Sequence, residues 1–167
     1  MVTYVGFLRA INLGATRKFP KDAIVSATEA AGFTDVATYI NTGNVRFDTA
    51  MRSRARIEAA LERAYQESQG FEVPTIVFTQ SQLREVAADA ERLSEGHAGR
   101  HYVSLLKSEP AAAVAKKLEE RSTADVHALV GESYLGATTS NATVEKLLGV
   151  ATNRNLTVIR ALAQKWC

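Results

Sequence analysis

The sequence predicts an α+β protein built from two similar halves, and three observations point that way. Apolar runs rich in β-branched and aromatic residues alternate with stretches whose apolar residues recur at helical spacing. The first half reads strand, helix, strand, strand, helix, strand. A segment starting at Tyr102 then repeats the pattern with which the chain opens. With 46% hydrophobic residues in 167, there is enough apolar material for a core.

Taken in order, Tyr4-Val5-Gly6-Phe7-Leu8-Arg9 is an apolar run of β-formers and reads as a buried strand. The polar stretch Asn12 to Lys18 follows. Pro20 sits where a first helical turn tolerates it, Ile24, Ala27 and Ala31 recur at helical spacing, and Gly32-Phe33 has the form of a Schellman stop. Val36 to Ile40 and Val45 to Phe47 read as strands joined by the hairpin signal Asn41-Thr42-Gly43-Asn44. Ser53 caps a helix whose stripe is Ile57, Leu61 and Tyr65, and Gly70 ends it. Val73 to Phe78 is a further strand, with Pro74 marking an edge or a strand start. This order predicts a ferredoxin-like split sandwich, mainly antiparallel with helices on one face.

Ser81 to Leu93 predicts a helix with Leu83, Val86, Ala90 and Leu93 on one face, capped by Thr79 with Gln82 or by Ser81 alone. Glu95 to Arg100 reads as a loop. The expected division is a first half at 1–80, a helical connector and loop at 81–99, and a second half at 100–167, packed as one unit. Tyr102-Val103-Ser104-Leu105-Leu106-Lys107 echoes Tyr4 to Arg9, and Asp125-Val126 echoes Asp35-Val36. Pro110 opens a helix with Val114 and Leu118 inward, Gly131 to Leu135 is a return strand, and Val144 to Leu148 a helix. Thr157 to Lys165 reads as helical where a fourth strand would close the repeat, so the second half is expected to be incomplete.

Composition excludes several functions. Twenty Lys+Arg against 18 Asp+Glu leave a charge of +2, which does not coat nucleic acid by bulk electrostatics. No run approaches the ~18–20 apolar residues of a membrane span. Met1 to Val5 lacks the basic and apolar regions of a signal peptide, and the lone Cys167 allows no internal disulfide, so a cytoplasmic protein is expected. Phosphate-loop, dinucleotide-fold and nucleophile-elbow motifs are absent. His97 and His101 share a spacing that Gly96 and Gly99 keep from being helical, and His127 stands alone, so no metal and no cofactor is expected. Cys167 has only Lys165 as a basic neighbour, which argues against a nucleophile.

Polar residues instead gather at the ends of apolar elements. Arg9 and Asn12 flank the end of the first strand, Asn41, Thr42, Gly43 and Asn44 form the hairpin, and Thr152-Asn153-Arg154-Asn155 precedes the last helix. Such groups, with helix N–H donors, can hold an anion, and turn chemistry, capping and ion pairing are the plainer alternatives. Arg52, Arg54 and Arg56 crowd a helix start, where a polyanion or Arg54–Glu58 pairing would offset the macrodipole. Base stacking of the RNA-recognition kind is disfavoured, because Asn44 stands where an aromatic is wanted and Tyr4 and Phe7 face opposite ways.

Tyr4-Val5-Gly6-Phe7-Leu8-Arg9-Ala10-Ile11-Asn12-Leu13-Gly14 resembles the opening of the bacterial domain-of-unknown-function family 1697. Gly32-Phe33-Thr34-Asp35-Val36, Thr38 to Phe47, Val150 to Asn155 and Thr157-Val158 are similar to its later blocks. The resemblance implies a duplicated ferredoxin-like fold and no established activity. It carries over to Arg9, Asn12, Gly14, Gly43, Asn44, Thr152, Arg154 and Asn155. Ala10 and Ala15 replace family glycines, Leu156 replaces a tryptophan, and Gly136-Ala137-Thr138-Thr139-Ser140 lacks the family's charge.

The expected function is a small-ligand or anion-binding module whose site joins Arg9, Asn12, Asn41, Thr42, Asn44, Arg154 and Asn155. Gly14, Gly43 and Thr152 would support its backbone. The alternatives are a hydrolase or transferase using the same pocket, with Asp35 or Asp48 beside Arg9, and a nucleic-acid or protein interaction module at the three arginines. Oligomeric state does not follow from the sequence.

Overall fold

Residues 1–95, 101–109, 111–114, 116, 126–128, 133–136, 146 and 149–167 are described by a computed structural model. The chain divides into two units, Met1–Gln80 and Ser81–Cys167. The first contains β1 (Val2–Leu8), α1 (Lys21–Ala30), β2 (Thr34–Thr38), β3 (Asn44–Thr49), α2 (Arg54–Gln69) and β4 (Thr75–Thr79). Its sheet runs β2-β3-β1-β4 with every neighbouring pair antiparallel.

Strand alternation sorts the side chains onto two faces. Tyr4 and Leu8 of β1, Val45 and Phe47 of β3 and Val77 of β4 share a buried cluster with Ile24 of α1 and Ile57, Leu61 and Tyr65 of α2. Val5, Phe7, Ile76 and Phe78 alternate with them and are also buried, with Phe7 and Phe78 edge to face at 6.1 Å. The local signals act as their chemistry requires. Ser53 Oγ accepts from Arg56 N at 3.4 Å, and Gly70 ends α2 at φ 78°. Gly32 takes φ 92°, its N–H reaches Glu29 O, and Phe33 N–H reaches Thr28 O, forming a Schellman motif. The Phe33 ring packs 4.8 Å from that of Phe47.

Strand boundaries differ from expectation, most plainly at both ends of β2. β2 spans Thr34–Thr38 rather than reaching Ile40, because Ile40 adopts φ 51° and leaves the sheet. Asp35, also left-handed at φ 49°, lies where the β2–β3 register shifts between Thr34 and Ala37. At the other edge, β4 is covered by carboxylates of α2. Glu58 Oε2 accepts from Val77 N at 3.0 Å, and Glu62 Oε1 from Thr75 N at 3.1 Å. These bonds satisfy the outward N–H groups that an edge strand otherwise offers to another strand.

The helix α3 (Gln80–Ser94) follows β4 directly, so Ser81 is an internal residue and not its cap. It buries Leu83, Ala87 and Ala90, while Val86 and Leu93 are only partly buried. Then come β5 (Tyr102–Leu106), β6 (Val126–Ala128), β7 (Ser133–Gly136), β8 (Ala151–Asn155) and α4 (Leu156–Trp166). The second sheet runs β6-β7-β5-β8, again antiparallel throughout.

β8 gives the second sheet a fourth strand that the sequence does not predict. Thr152 to Asn155, read from sequence as a polar stretch before the last helix, is a strand paired with β5, Leu105 opposite Thr152 and Val103 opposite Arg154. Only Ala151 among its five residues is apolar, so intrinsic propensity gives no strand signal and pairing with β5 decides. The helix does follow, with Asn155 Oδ1 accepting from Val158 N at 2.8 Å and Leu156, Ile159, Leu162 and Trp166 buried. An Arg160–Glu91 ion pair joins α4 to α3 at the surface. The helix expected after Pro110 is described only at 112–114 and 116. His97, Pro110, Leu118, Asp125, Gly131, the 137–140 stretch and, apart from Lys146, the expected helix at 144–148 lie outside the described residues.

Candidate functional site

The loop end of the first sheet is assembled by hydrogen bonds between segments far apart in sequence. Leu8 N donates to Gly43 O at 2.8 Å, and Arg9 N to Pro74 O at 2.9 Å, so the end of β1 is gripped from both sides. Gly43 has φ 85°, and a Cβ there would stand 2.8 Å from Leu8 Cβ and 2.9 Å from Ile11 Cδ1. Only glycine meets both conditions. Asn12, at φ 54°, donates from Nδ2 to Phe19 O at 3.0 Å and Asn41 O at 2.8 Å, and its Oδ1 accepts from Phe19 N at 2.8 Å. The buried Asn44 donates to Tyr39 O at 3.0 Å and Thr42 Oγ1 at 2.9 Å.

Arg9, Asn12, Gly14, Asn41, Thr42, Gly43 and Asn44 therefore form one rim of the first unit. Within it Asn12 and Asn44 act as ties, while the side chains of Asn41 and Thr42 are exposed and Arg9 is half-buried. Among the described residues, five non-glycine residues have positive φ, and Ala10, Asn12, Arg17 and Ile40 of this rim are four of them. Ala10 keeps φ 56° although its Cβ disfavours that conformation, so the left-handed turn is imposed by the surroundings.

Arg17 and Lys18 belong to the rim and were not expected from sequence. Arg17 Nε donates to Ala10 O at 2.6 Å and Nη2 to Glu72 O at 2.5 Å, with the guanidinium 4.7 Å from the Phe71 ring centroid. The signal that could have found them is local charge. Arg9, Arg17, Lys18 and Lys21 lie in a segment without a carboxylate, in a chain whose net charge is only +2.

Thr152, Arg154 and Asn155 lie on β8 in the second unit. Arg154 is buried, its Nη1 donates to Thr152 Oγ1 at 2.9 Å and Asn153 O at 2.8 Å, and burial pulls its pKa down to about 10. Asn155 is engaged as the cap of α4. Asp35 pairs with Arg46 at 2.8 Å, and Asp48 accepts from Thr3 Oγ1 at 2.6 Å. Arg54 pairs with Glu58 at 3.2 Å and lies 5.1 Å from the Phe78 ring centroid, and burial lowers its pKa against the opposing pull of Glu58. Burial pushes the Cys167 thiol up, with Arg84 acting the other way. Among the described residues, no group of three or more His, Cys, Asp or Glu is placed to hold a metal, and no helix is long and apolar enough to cross a membrane.

The fold defines a mixed α+β protein with two four-stranded antiparallel sheets. It is similar to the structure of the conserved bacterial protein SP0830 from Streptococcus pneumoniae, with a TM-score of 0.72 and 17% identity over 98% of this chain and 97% of that one. The chain belongs to the family described as protein of unknown function (DUF1697), which matches residues 1–134. The whole rim of the first unit falls within that match, and β8 lies beyond it. No curated protein matches the sequence.

Proposed function

We propose that the protein binds a small anion at the loop end of its first sheet. The observation that carries this reading is the concentration of left-handed, non-glycine backbone in a rim that also carries Arg9, Arg17 and Lys18. Backbone strain of this kind persists where surrounding contacts enforce it, and it clusters at ligand clamps and switch regions. Arg9 and Lys18 would supply charge, and Asn41 and Thr42 orienting hydrogen bonds. Asn12, Gly43 and Asn44 form the frame that holds them. Arg154 and Asn155 belong to the fold of the second unit in this reading. Catalysis at the same rim has less support, since Asp35 and Asp48 have other partners, and so does a polyanion site using Arg54.

We further infer that the two units are copies of one ferredoxin-like element, supported by their matching strand orders, β2-β3-β1-β4 and β6-β7-β5-β8. A bacterial, cytoplasmic setting is supported by the source of the similar structure and by the lone cysteine. Thermal melting with nucleotides, sugar phosphates and carboxylates tests the anion site. A ligand at a hundredfold excess over its Kd adds about 2.7 kcal/mol to stability, and Arg9→Ala is expected to lose most of that gain. No stabiliser in the panel, or an equal shift in the variant, overturns the proposal.

A further inference from the structure

The loop between β1 and α1 is closed on itself and clamped at one point. Asn12 N donates to Arg17 O at 2.9 Å, which closes a ring whose tip is Leu13, Gly14, Ala15 and Thr16. That tip is exposed, and Leu13 has 67% of its surface in solvent. Asn12 secures the base of the ring to Phe19 and Asn41. Arg17 reaches across to the segment before β4, where it meets the Glu72 carbonyl and the Phe71 ring while also holding the Ala10 carbonyl.

Two features weigh against the closed state of this clamp. Ala10 and Arg17 are left-handed, a conformation that L-residues other than Asn and Asp disfavour, so the closed loop is held against its own local preference. Among the described residues, both hydrogen-bond acceptors of the Arg17 guanidinium are neutral carbonyls, and a guanidinium bonds more strongly to an anion. An anion reaching the rim therefore competes for the group that keeps the loop closed.

We propose that residues 10–18 form a lid latched by Arg17, and that an anion at the rim draws Arg17 off the Ala10 and Glu72 carbonyls and releases it. The release step rests on the anion-binding reading above, whereas the latch is testable without any ligand. Amide exchange is measured on the full chain and on Arg17→Ala, Arg17→Lys and Thr16→Ala. The reporters are the Asn12 and Phe19 amides, both hydrogen-bonded inside the loop, and the Leu8 amide reports on the sheet.

In Arg17→Ala the two loop amides should exchange at least about tenfold faster while Leu8 is unchanged, since the opening is local rather than global. Arg17→Lys retains the charge but replaces the guanidinium's separate Nε and Nη2 donors with one nitrogen, so it should fall between, and Thr16→Ala should match wild type. Unchanged Asn12 and Phe19 protection in Arg17→Ala overturns the latch. With inorganic phosphate or pyrophosphate, the wild-type loop amides should accelerate in the same way. If these anions raise the melting temperature yet leave the loop amides unchanged, the release step fails and the anion site stands. If they neither stabilise the protein nor alter exchange, the release step fails and the anion-binding reading loses its phosphate arm.

Discussion

Gly43→Ala tests whether the rim is held by close packing around one glycine. Two penalties act together. A non-glycine residue at φ 85° costs about 1–2 kcal/mol. The added methyl would also stand 2.8 Å from Leu8 Cβ, an atom next to backbone that is itself bonded to Gly43 O, so that neighbour cannot swing away. Overpacking of this type costs about 1–3 kcal/mol. The sum is about 2–5 kcal/mol, equivalent to a fall of roughly 4–20 °C in Tm for a chain of this size if it unfolds as one cooperative unit. Gly14→Ala provides the comparison, because Gly14 has φ 72° but nothing within 4 Å of its would-be Cβ. It carries the conformational penalty of about 1–2 kcal/mol alone. Urea unfolding of both variants should show Gly43→Ala less stable than Gly14→Ala by about 2 kcal/mol, read as a lower midpoint at unchanged slope. Equal midpoints would refute the reasoning that Leu8 and Ile11 leave no room at Gly43.

Glu58→Ala should destabilise the protein by about 3 kcal/mol, because it strands the buried Val77 N–H and removes a carboxylate paired with Arg54. Glu62→Ala should lose only about 1 kcal/mol, and denaturant unfolding that ranks the two the other way contradicts the edge-covering role. Tyr65→Phe removes a 2.8 Å hydroxyl pair with Thr28 and should lower stability by about 1 kcal/mol at neutral pH. The buried phenol is held well above its ordinary pKa of about 10, chiefly by desolvation. Unfolding therefore releases its proton above pH ~10, so this contribution is complete below that pH and is lost as pH rises past it. Melting curves between pH 8 and 11 should show a steeper alkaline decline in wild type than in Tyr65→Phe, and parallel declines would count against the burial argument.

Much of the first unit is legible in the sequence because its signals are local. Ser53 caps α2, Gly32-Phe33 closes α1, and the Ile57, Leu61, Tyr65 stripe faces the sheet, each through contacts within a few residues or one helical face. β8 is not legible, since four of its five residues are polar and β5 supplies the order. The hydrogen bonds of Glu58 and Glu62 to β4 are hidden for the same reason. On a helix pattern, two acids four residues apart look like an ordinary solvated face, and only the neighbouring strand makes them ligands for backbone N–H groups.

The candidate site shows the same division. Arg9, Asn12, Asn41, Thr42, Gly43 and Asn44 were marked by their residue types and by resemblance to a family, and they do meet at one rim. Their roles depend on distances between segments that the sequence leaves unstated. Asn12 ties to Asn41 across 29 residues, and Arg17 reaches Glu72 across 55. By itself the sequence determined the α+β class, the helix stops and caps, and the near-neutral charge that restricts any anion site to a few local cations. Tertiary structure alone decided which asparagines became ties, that β8 is a strand, and that an arginine in an exposed loop became a latch. Hydrophobic periodicity and capping act over a few residues, whereas these roles arise only when folding brings distant backbone groups within hydrogen-bonding distance.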